Sequence, residues 1–321
     1  MNLMPITPDR KEIIEQFPIE DRDNHIYKSI EEAVEDALRR AFKDLNFRTM
    51  TANNKNNSIK KILEQLNGVK KVETFNINTI TDQKEKKNIA VLRDKLKAKN
   101  LTYNDCKITE YLIIDLADKG FLQQFIDYFN SPFITNFDKW HHDTACMFLK
   151  VLTTYYKKAY YGKAQKIVNM MFKHLYCMNF GENQKGDKSD WIVLDRNYFI
   201  HCHMPLDSFT LDWLHRKDGE AVCEWSNLEY NSNKNQGKAS TDYTKYLDRV
   251  KKQFSSNKGI TAFEAEFYIW PQMQITQALE TVYRMDHNKA AITTFVGSSV
   301  ANKCSIMAFE LGQRSFSKMF I

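Results

Sequence analysis

Apolar residues recur at intervals of three and four along most of this chain, which is the spacing of amphipathic helices. The clearest example covers residues 30–45, where an apolar stripe follows the capping-box residues Ser29 and Glu32. A second capping box, formed by Thr261 and Glu264, begins a later helix. The same spacing predicts helices over 59–66, 89–99, 107–129, 138–158, 163–178, 207–215, 243–250 and 275–282.

Interruptions of this pattern separate the predicted helices. Gly120 is expected to break the helix over 107–129, and a glycine turn at Gly162 is expected to precede the helix over 163–178. Trp270 with Pro271 is expected to break the helix that follows Thr261. Polar residues predict loops over 48–58, 181–190 and 227–240, whereas 69–80 fits a strand or an extended loop, and the type of structure over 290–321 stays open.

These elements predict a mainly α-helical fold with little or no sheet. The chain has 321 residues, of which 43% are hydrophobic, enough for one large core or two modest ones. Only 10 glycines and 6 prolines are present, which favours long helices over a turn-rich β-fold. We divide the chain into an extended lead-in (1–28), an N-terminal helical lobe (29–135), a central segment (136–226) and a C-terminal helical segment (227–321).

Composition narrows the possible functions only slightly. The net charge of +6 permits nucleic-acid binding, although a lysine-rich surface in water gives the same value. Six scattered cysteines without a Cys-x-x-Cys pair indicate reduced thiols in a cytoplasmic protein. We expect no membrane segment, no metal site and no cofactor, since the chain has no long apolar run and none of the common nucleotide-binding motifs.

The helix over 163–178 carries two different faces. Val168, Met171, Phe172 and Leu175 form an apolar stripe, and Lys166, Asn169 and Lys173 follow one another along a second stripe. Taken alone, the second stripe predicts an ordinary surface face in contact with water. It could also bind DNA, because the helix N-terminus would offer N–H groups to a phosphate and Lys163 would add positive charge.

A second motif is Met204-Pro205-Leu206-Asp207. Proline restricts the entry of the chain, and Asp207 can cap the helix that follows. Taken alone, this motif predicts an N-cap.

Together the two motifs resemble the helix-hairpin-helix DNA glycosylase superfamily. Gln165-Lys166 with Lys173 further along the helix is similar to the catalytic-lysine helix of archaeal-type 8-oxoguanine DNA glycosylases, and Pro205-Leu206-Asp207 is similar to the segment that carries the superfamily's aspartate. The resemblance implies a two-lobed helical fold in which Lys166 and Asp207 are catalytic. Of the family's Leu-Pro-Gly-x-Gly hairpin only Gly162 is present, and the interval to Asp207 is long, so Lys163 and Lys173 stay open as the catalytic amine.

The resemblance also implies the substrate and the reaction. The partner would be double-stranded DNA with a damaged or modified base, bound by a monomer that excises the base and can act as an AP lyase. This activity would serve DNA repair or defence against phage DNA. Aromatic residues would stack on the flipped base, and we predict Trp270 with Gln272, or Trp140 beside His141 and His142, for this role.

Two alternatives remain from the sequence. The chain could be a non-catalytic helical nucleic-acid-binding protein that uses the same lysines on phosphates. It could also be a helical protein-interaction module whose positive charge serves solubility alone.

Overall fold

The fold is mainly helical, as the sequence predicted. The structure is a computed structural model, and it describes residues 8–16, 27–45, 50–67, 78, 80–98, 108–131, 136–178, 192, 194–254 and 259–285. Within these residues there are eleven α-helices and two small antiparallel sheets of two strands each. The predictions for 69–77, 181–190 and 290–321 lie outside the described residues.

The helices follow one another in a simple order. They are α1 (Arg10–Glu15), α2 (Ile30–Asp44), α3 (Asn54–Asn67), α4 (Gln83–Ala98), α5 (Ile108–Asp118), α6 (Phe121–Asn130), α7 (Phe137–Tyr155), α8 (Tyr161–Tyr176), α9 (Ser208–Asp218), α10 (Tyr243–Phe254) and α11 (Ala262–Met285). Strand β1 (Thr51–Ala52) pairs with β2 (Tyr156–Lys157), and β3 (Asn235–Gln236) pairs with β4 (Ala239–Ser240).

Helix α8 lies at the centre of the fold, with α2 and α7 packed along it. All of its residues are buried except Lys166 and His174, which are half-buried. The predicted helix is confirmed, but the prediction of a water-facing polar stripe is wrong, because Asn169 and Lys173 are 0% and 1% exposed. The apolar face packs into the core while other elements cover the polar stripe.

The N-terminal lead-in is not wholly extended, because it contains α1. The buried Arg10 side chain of α1 donates hydrogen bonds to the carbonyl oxygen of Tyr176 at 2.6 and 3.1 Å. Tyr176 is the last residue of α8, where carbonyl groups lack partners inside the helix and a positive charge is favourable. The lead-in therefore caps the C-terminus of the central helix.

Gly162 lies inside the first turn of α8, so the predicted glycine turn before the helix is wrong. Its N–H donates to the carbonyl of Leu228 at 2.8 Å, and a Cβ at this position would lie 1.9 Å from the carbonyl oxygen of Trp225. Glycine is required here because another backbone segment crosses the helix. That segment also covers the N-terminus of α8, which the sequence analysis considered as a phosphate-binding site.

Two other predicted boundaries differ from the structure. Helix α11 continues through Pro271, because proline removes one helical hydrogen bond while the helix stays packed by buried neighbours such as Ile269 and Met273. Helix α3 begins inside the predicted loop over 48–58, where Asn53 Oδ1 accepts a hydrogen bond from the N–H of Asn56 at 3.1 Å. The predicted break at Gly120 is confirmed by its left-handed φ of 79°.

Candidate functional site

Helix α8 places three lysines close to one another in the interior. Lys163 and Lys173 are 2% and 1% exposed, and the Lys166 side chain is 13% exposed. Because Lys166 and Lys173 are seven residues apart, they lie on the same face, about 10 Å apart along the helix axis. Charged side chains are rarely buried without partners, so the elements around this face must supply compensating groups.

Asp207 is one of these groups, and the start of α9 fixes its position. Its Oδ1 accepts hydrogen bonds from the N–H groups of Phe209 at 2.9 Å and Thr210 at 3.2 Å. Its own N–H donates to Thr210 Oγ1 at 2.8 Å, so threonine completes a capping box in place of the usual glutamate. The predicted N-cap is therefore confirmed.

The second carboxylate oxygen of Asp207 faces Lys166. Lys166 Nζ lies 3.2 Å from Asp207 Oδ2, and the two residues are 41 positions apart in the chain. The Asp207 side chain is only 6% exposed. Capping and a chemical role do not compete, because each oxygen of this carboxylate has a different partner.

Lys173 pairs with Glu266 of α11, and both side chains are 1% exposed. Burial raises the pKa of Glu266, and the negative charge of Asp207 raises it further while Lys173 opposes the change. Lys166 also lowers the pKa of Glu266. The two ion pairs therefore belong to one electrostatic cluster.

Trp225 covers the N-terminal end of this cluster, in a 3-10 turn that spans Trp225–Asn227. Its ring centroid lies 4.6 Å from Lys163 Nζ and 4.9 Å from Lys166 Nζ, within the range of cation–π attraction. Burial, with the neighbouring charge of Lys166, lowers the pKa of Lys163, and Glu224 opposes this. Sequence reasoning missed Trp225, because it lies in an irregular segment without periodicity or a motif.

Trp270 lies at the other end of the cluster. Its ring centroid is 5.7 Å from Lys173 Nζ, and its ring packs edge-to-face on Phe209 at 5.5 Å. The structure thus places Trp270 beside Lys173, and its predicted role of stacking on a base stays a prediction. Gln272 is exposed and lies two residues further on, which turns it by about 200° around the helix from Trp270.

Two other predicted site residues have mainly structural contacts. Trp140 packs in the aromatic core, with its ring centroid 5.3 Å from that of Phe125 and 5.5 Å from that of Phe172. Asn169 is fully buried and hydrogen-bonded to His141 and Gln165. Neither side chain has a recorded contact with Lys166 or Asp207.

A cleft of about 530 Å³ opens elsewhere, beside the N-terminus of α7. Asp138, His203 and Lys251 line its polar part, whereas Lys166 and Asp207 do not line it. The hydrogen bond from His203 lowers the pKa of Asp138 well below its usual range, and Lys251 adds to the effect. The candidate site lies apart from this cleft, with the ring of Trp225 against the amines of Lys163 and Lys166.

Comparison of the chain with protein-family models, curated proteins and solved structures finds no match. The resemblance to helix-hairpin-helix glycosylases therefore stays a hypothesis supported by individual residues, chiefly Lys166 and Asp207. No helix in the described ranges is both long and apolar enough to cross a membrane. The same ranges contain no group of three or more His, Cys, Asp or Glu side chains that could hold a metal ion.

Proposed function

We propose that the protein is a DNA glycosylase that excises a damaged or modified base through Lys166 and Asp207. One observation carries the proposal: Lys166 Nζ lies 3.2 Å from the one Asp207 oxygen that the helix cap does not use. An amine and a carboxylate in hydrogen-bond reach, away from bulk water, are the groups that covalent catalysis at a sugar carbon needs.

The burial of the lysines favours an enzyme over a protein that only binds phosphates. A helix that binds phosphates keeps its lysines at the surface, because they must reach the DNA backbone to neutralise phosphates and release the counterions condensed on the DNA. Here Lys163 and Lys173 are nearly inaccessible, and Lys173 is already paired with Glu266. Lys166 is the most exposed of the three, which favours it as the catalytic amine.

The chemistry follows from these positions. The target nucleotide is flipped out of the duplex, because its glycosidic bond is out of reach inside the stack. Lys166 first gives one ammonium proton to Asp207 and then attacks C1′ with the freed electron pair. The bond from C1′ to the base breaks, and its electrons leave with the base. The proton held by Asp207 then goes to the departing base, and the restored carboxylate charge stabilises the cationic sugar adduct.

One N–H proton of the bound amine then passes to O4′ as the bond from C1′ to O4′ breaks. The double bond that forms is a Schiff base, which joins Lys166 to the opened sugar. Water can release it, or β-elimination can cleave the strand, which is the AP-lyase reaction. Trp270, close to Lys173, supplies a ring on which the flipped base can stack. Such an activity serves either repair of oxidised DNA or defence against phage DNA with modified bases.

Borohydride trapping tests the proposal. Duplexes with one 8-oxoguanine or one 5-hydroxymethylcytosine, the latter with and without glucose, are incubated with the protein and borohydride. We expect a covalent adduct with at least one duplex and no adduct with Lys166→Gln. Asp207→Asn should lower the rate of base release by about 10²–10⁴-fold, the usual contribution of a general base. The variant should still fold, because asparagine can cap α9 as aspartate does.

Matched controls separate chemistry from folding. Lys150→Gln changes an exposed lysine of α7, and Asp248→Asn changes an exposed aspartate of α10; both should retain full activity. An adduct that persists in Lys166→Gln but disappears in Lys163→Gln would move the reaction to Lys163. Base release without an adduct would indicate that Asp207 activates water, and salt-dependent binding without base release from any duplex would contradict the enzyme.

A further inference from the structure

Gln165, the residue before Lys166, uses its side chain to hold the backbone of Leu206. Its Nε2 donates to the carbonyl of Leu206 at 2.7 Å, and its Oε1 accepts from the N–H of Leu206 at 3.3 Å. One side chain thus pairs with both backbone groups of a residue, as a neighbouring strand would. Leu206 directly precedes Asp207, so this clamp acts one peptide away from the carboxylate.

Buried neighbours determine the orientation of the Gln165 amide. Nε2 also donates to the carbonyl of Gly162 at 2.9 Å, and Oε1 accepts from Asn169 Nδ2 at 3.0 Å. Asn169 Oδ1 lies 3.0 Å from His141 Nε2, and since a carbonyl oxygen only accepts, His141 must donate from Nε2. Burial lowers the pKa of His141 well below its usual value, which favours the neutral ring with its proton on Nε2.

A second arm runs from Asn169 to the surface cleft. Asn169 Nδ2 lies 3.4 Å from the hydroxyl of Tyr243, which lies 3.1 Å from His203 Nδ1. His203 Nε2 lies 2.7 Å from Asp138 Oδ1. Because the carboxylate of Asp138 only accepts, His203 donates from Nε2, and Nδ1 of the neutral ring accepts from the Tyr243 hydroxyl.

We propose that Gln165 is a positioning residue that holds Asp207 Oδ2 against Lys166. This inference rests on the proposed function, since it assigns a second role within the same site. An apolar residue of equal size would fill the space but leave the Leu206 N–H and carbonyl without partners. The peptide before Asp207 could then rotate, and the carboxylate would lose its alignment even though α9 remained capped.

Three variants test the inference. Gln165→Leu removes the clamp, Gln165→Glu alters it, and Asn56→Leu is a matched control at a fully buried amide of α3. We expect Gln165→Leu to lower the single-turnover rate of base release by about 10- to 100-fold, because small misalignments have effects of this size. The DNA concentration for half-saturation should stay within about threefold of the wild type, since alignment in the transition state affects the rate rather than binding.

Gln165→Glu provides a readout that a purely structural role would not change. A buried glutamate has a raised pKa, and only its protonated form can donate to the Leu206 carbonyl. The rate of base release by Gln165→Glu, divided by that of Gln165→Leu, should therefore rise as the pH falls from about 8 to about 6. The raised pKa of a buried carboxyl lies in this range. Asn56→Leu should leave the single-turnover rate of base release close to that of the wild type.

The inference fails if Gln165→Leu releases base as fast as the wild type, or if Gln165→Glu shows no recovery at low pH. If the wild type releases no base from any duplex, the proposed function fails, and nitrogen-15 NMR of the lysine side chains then tests the clamp alone. The side-chain nitrogen resonance of Lys166 is assigned by its absence in Lys166→Arg. In Gln165→Leu its chemical shift should change in the same direction as in Asp207→Asn, because both variants weaken the contact between Lys166 and the carboxylate. An unchanged resonance overturns the clamp whatever the activity.

Discussion

Helices α2 and α8 pack against each other but differ in where their polar side chains lie. In α2 the charged side chains lie on the outer face, where Arg39 pairs with Glu35 at 2.7 Å and Arg40 pairs with Asp36 at 2.6 Å. These partners are one turn away on the same helix, and Arg39 pairs in addition with Glu110 of α5. In α8 most polar residues are buried, and the partners of Asn169, Lys166 and Lys173 include residues of α7, α9 and α11.

The buried polar residues of α8, unlike the ion pairs of α2, need an explanation beyond stability. Exposed ion pairs contribute little to stability, and an amphipathic helix such as α2 would fold without them. A buried pair such as Lys173 with Glu266 is often no more stabilising than apolar residues of the same volume. Stability alone therefore gives no reason for the polar interior of α8, which is why we propose a chemical role for Lys166 and Asp207.

The largest expected effect concerns the buried pair. Lys173→Met leaves Glu266 without its partner and should lower the free energy of unfolding by about 3–5 kcal/mol. Lys173→Met combined with Glu266→Leu should regain most of this loss, and Lys150→Met on the surface should change stability by less than about 0.5 kcal/mol. Urea denaturation measures all three, and a single variant as stable as the surface control would show that the pair is not buried.

The corresponding test on α2 removes apolar volume. Leu38 is 0% exposed, so Leu38→Ala should lower the free energy of unfolding by about 2–5 kcal/mol through lost burial and a residual cavity. Urea denaturation again gives the value. A loss below about 1 kcal/mol would indicate that the contact between α2 and α8 is loose, since that is less than a buried leucine contributes.

The next effect is the pH dependence of stability, which concerns His141 of α7, the hydrogen-bond partner of Asn169 in α8. Because burial lowers the pKa of His141, the unfolded chain binds a proton below pH 6.5 that the folded protein does not. Stability from this residue is present above 6.5 and should fall as the pH decreases, by at most about 1.4 kcal/mol for each pH unit.

His141→Gln isolates this contribution, because glutamine can still donate to Asn169 but does not titrate. Unfolding by urea between about pH 7 and pH 5 should show a steeper loss for the wild type than for His141→Gln, since only the wild type gains the histidine proton on unfolding. Parallel curves for the two proteins would mean that His141 titrates normally. His203, whose pKa burial also lowers, should contribute in the same direction in both proteins.

The smallest expected effect lies on the outer face of α2. Glu35→Gln removes a partly exposed partner of Arg39, which keeps its ion pair with Glu110. The free energy of unfolding should fall by only about 0.3–0.5 kcal/mol, and added salt should reduce the difference. A loss above about 2 kcal/mol would contradict the contrast with α8, because it would place this pair in the range of buried ones.

Parts of the candidate site were predictable from the chain, and other parts were not. Lys166 and Asp207 follow from the two motifs, and Trp270 was chosen as an aromatic next to a proline. Glu266, the partner of Lys173, lies in an ordinary helical stretch with no local sign of its role. Trp225 lies in an irregular turn, so neither periodicity nor a motif could indicate it.

The amino-acid sequence determined the features that depend on contacts within a helical turn. The mainly helical fold, the capped starts at Ser29 and Thr261, and the break at Gly120 all follow from neighbouring residues. The tertiary structure alone decided that the polar stripe of α8 is buried and that Lys166 meets Asp207, 41 residues away. Periodicity gives the angle between two faces of a helix, but only packing determines which faces other elements cover.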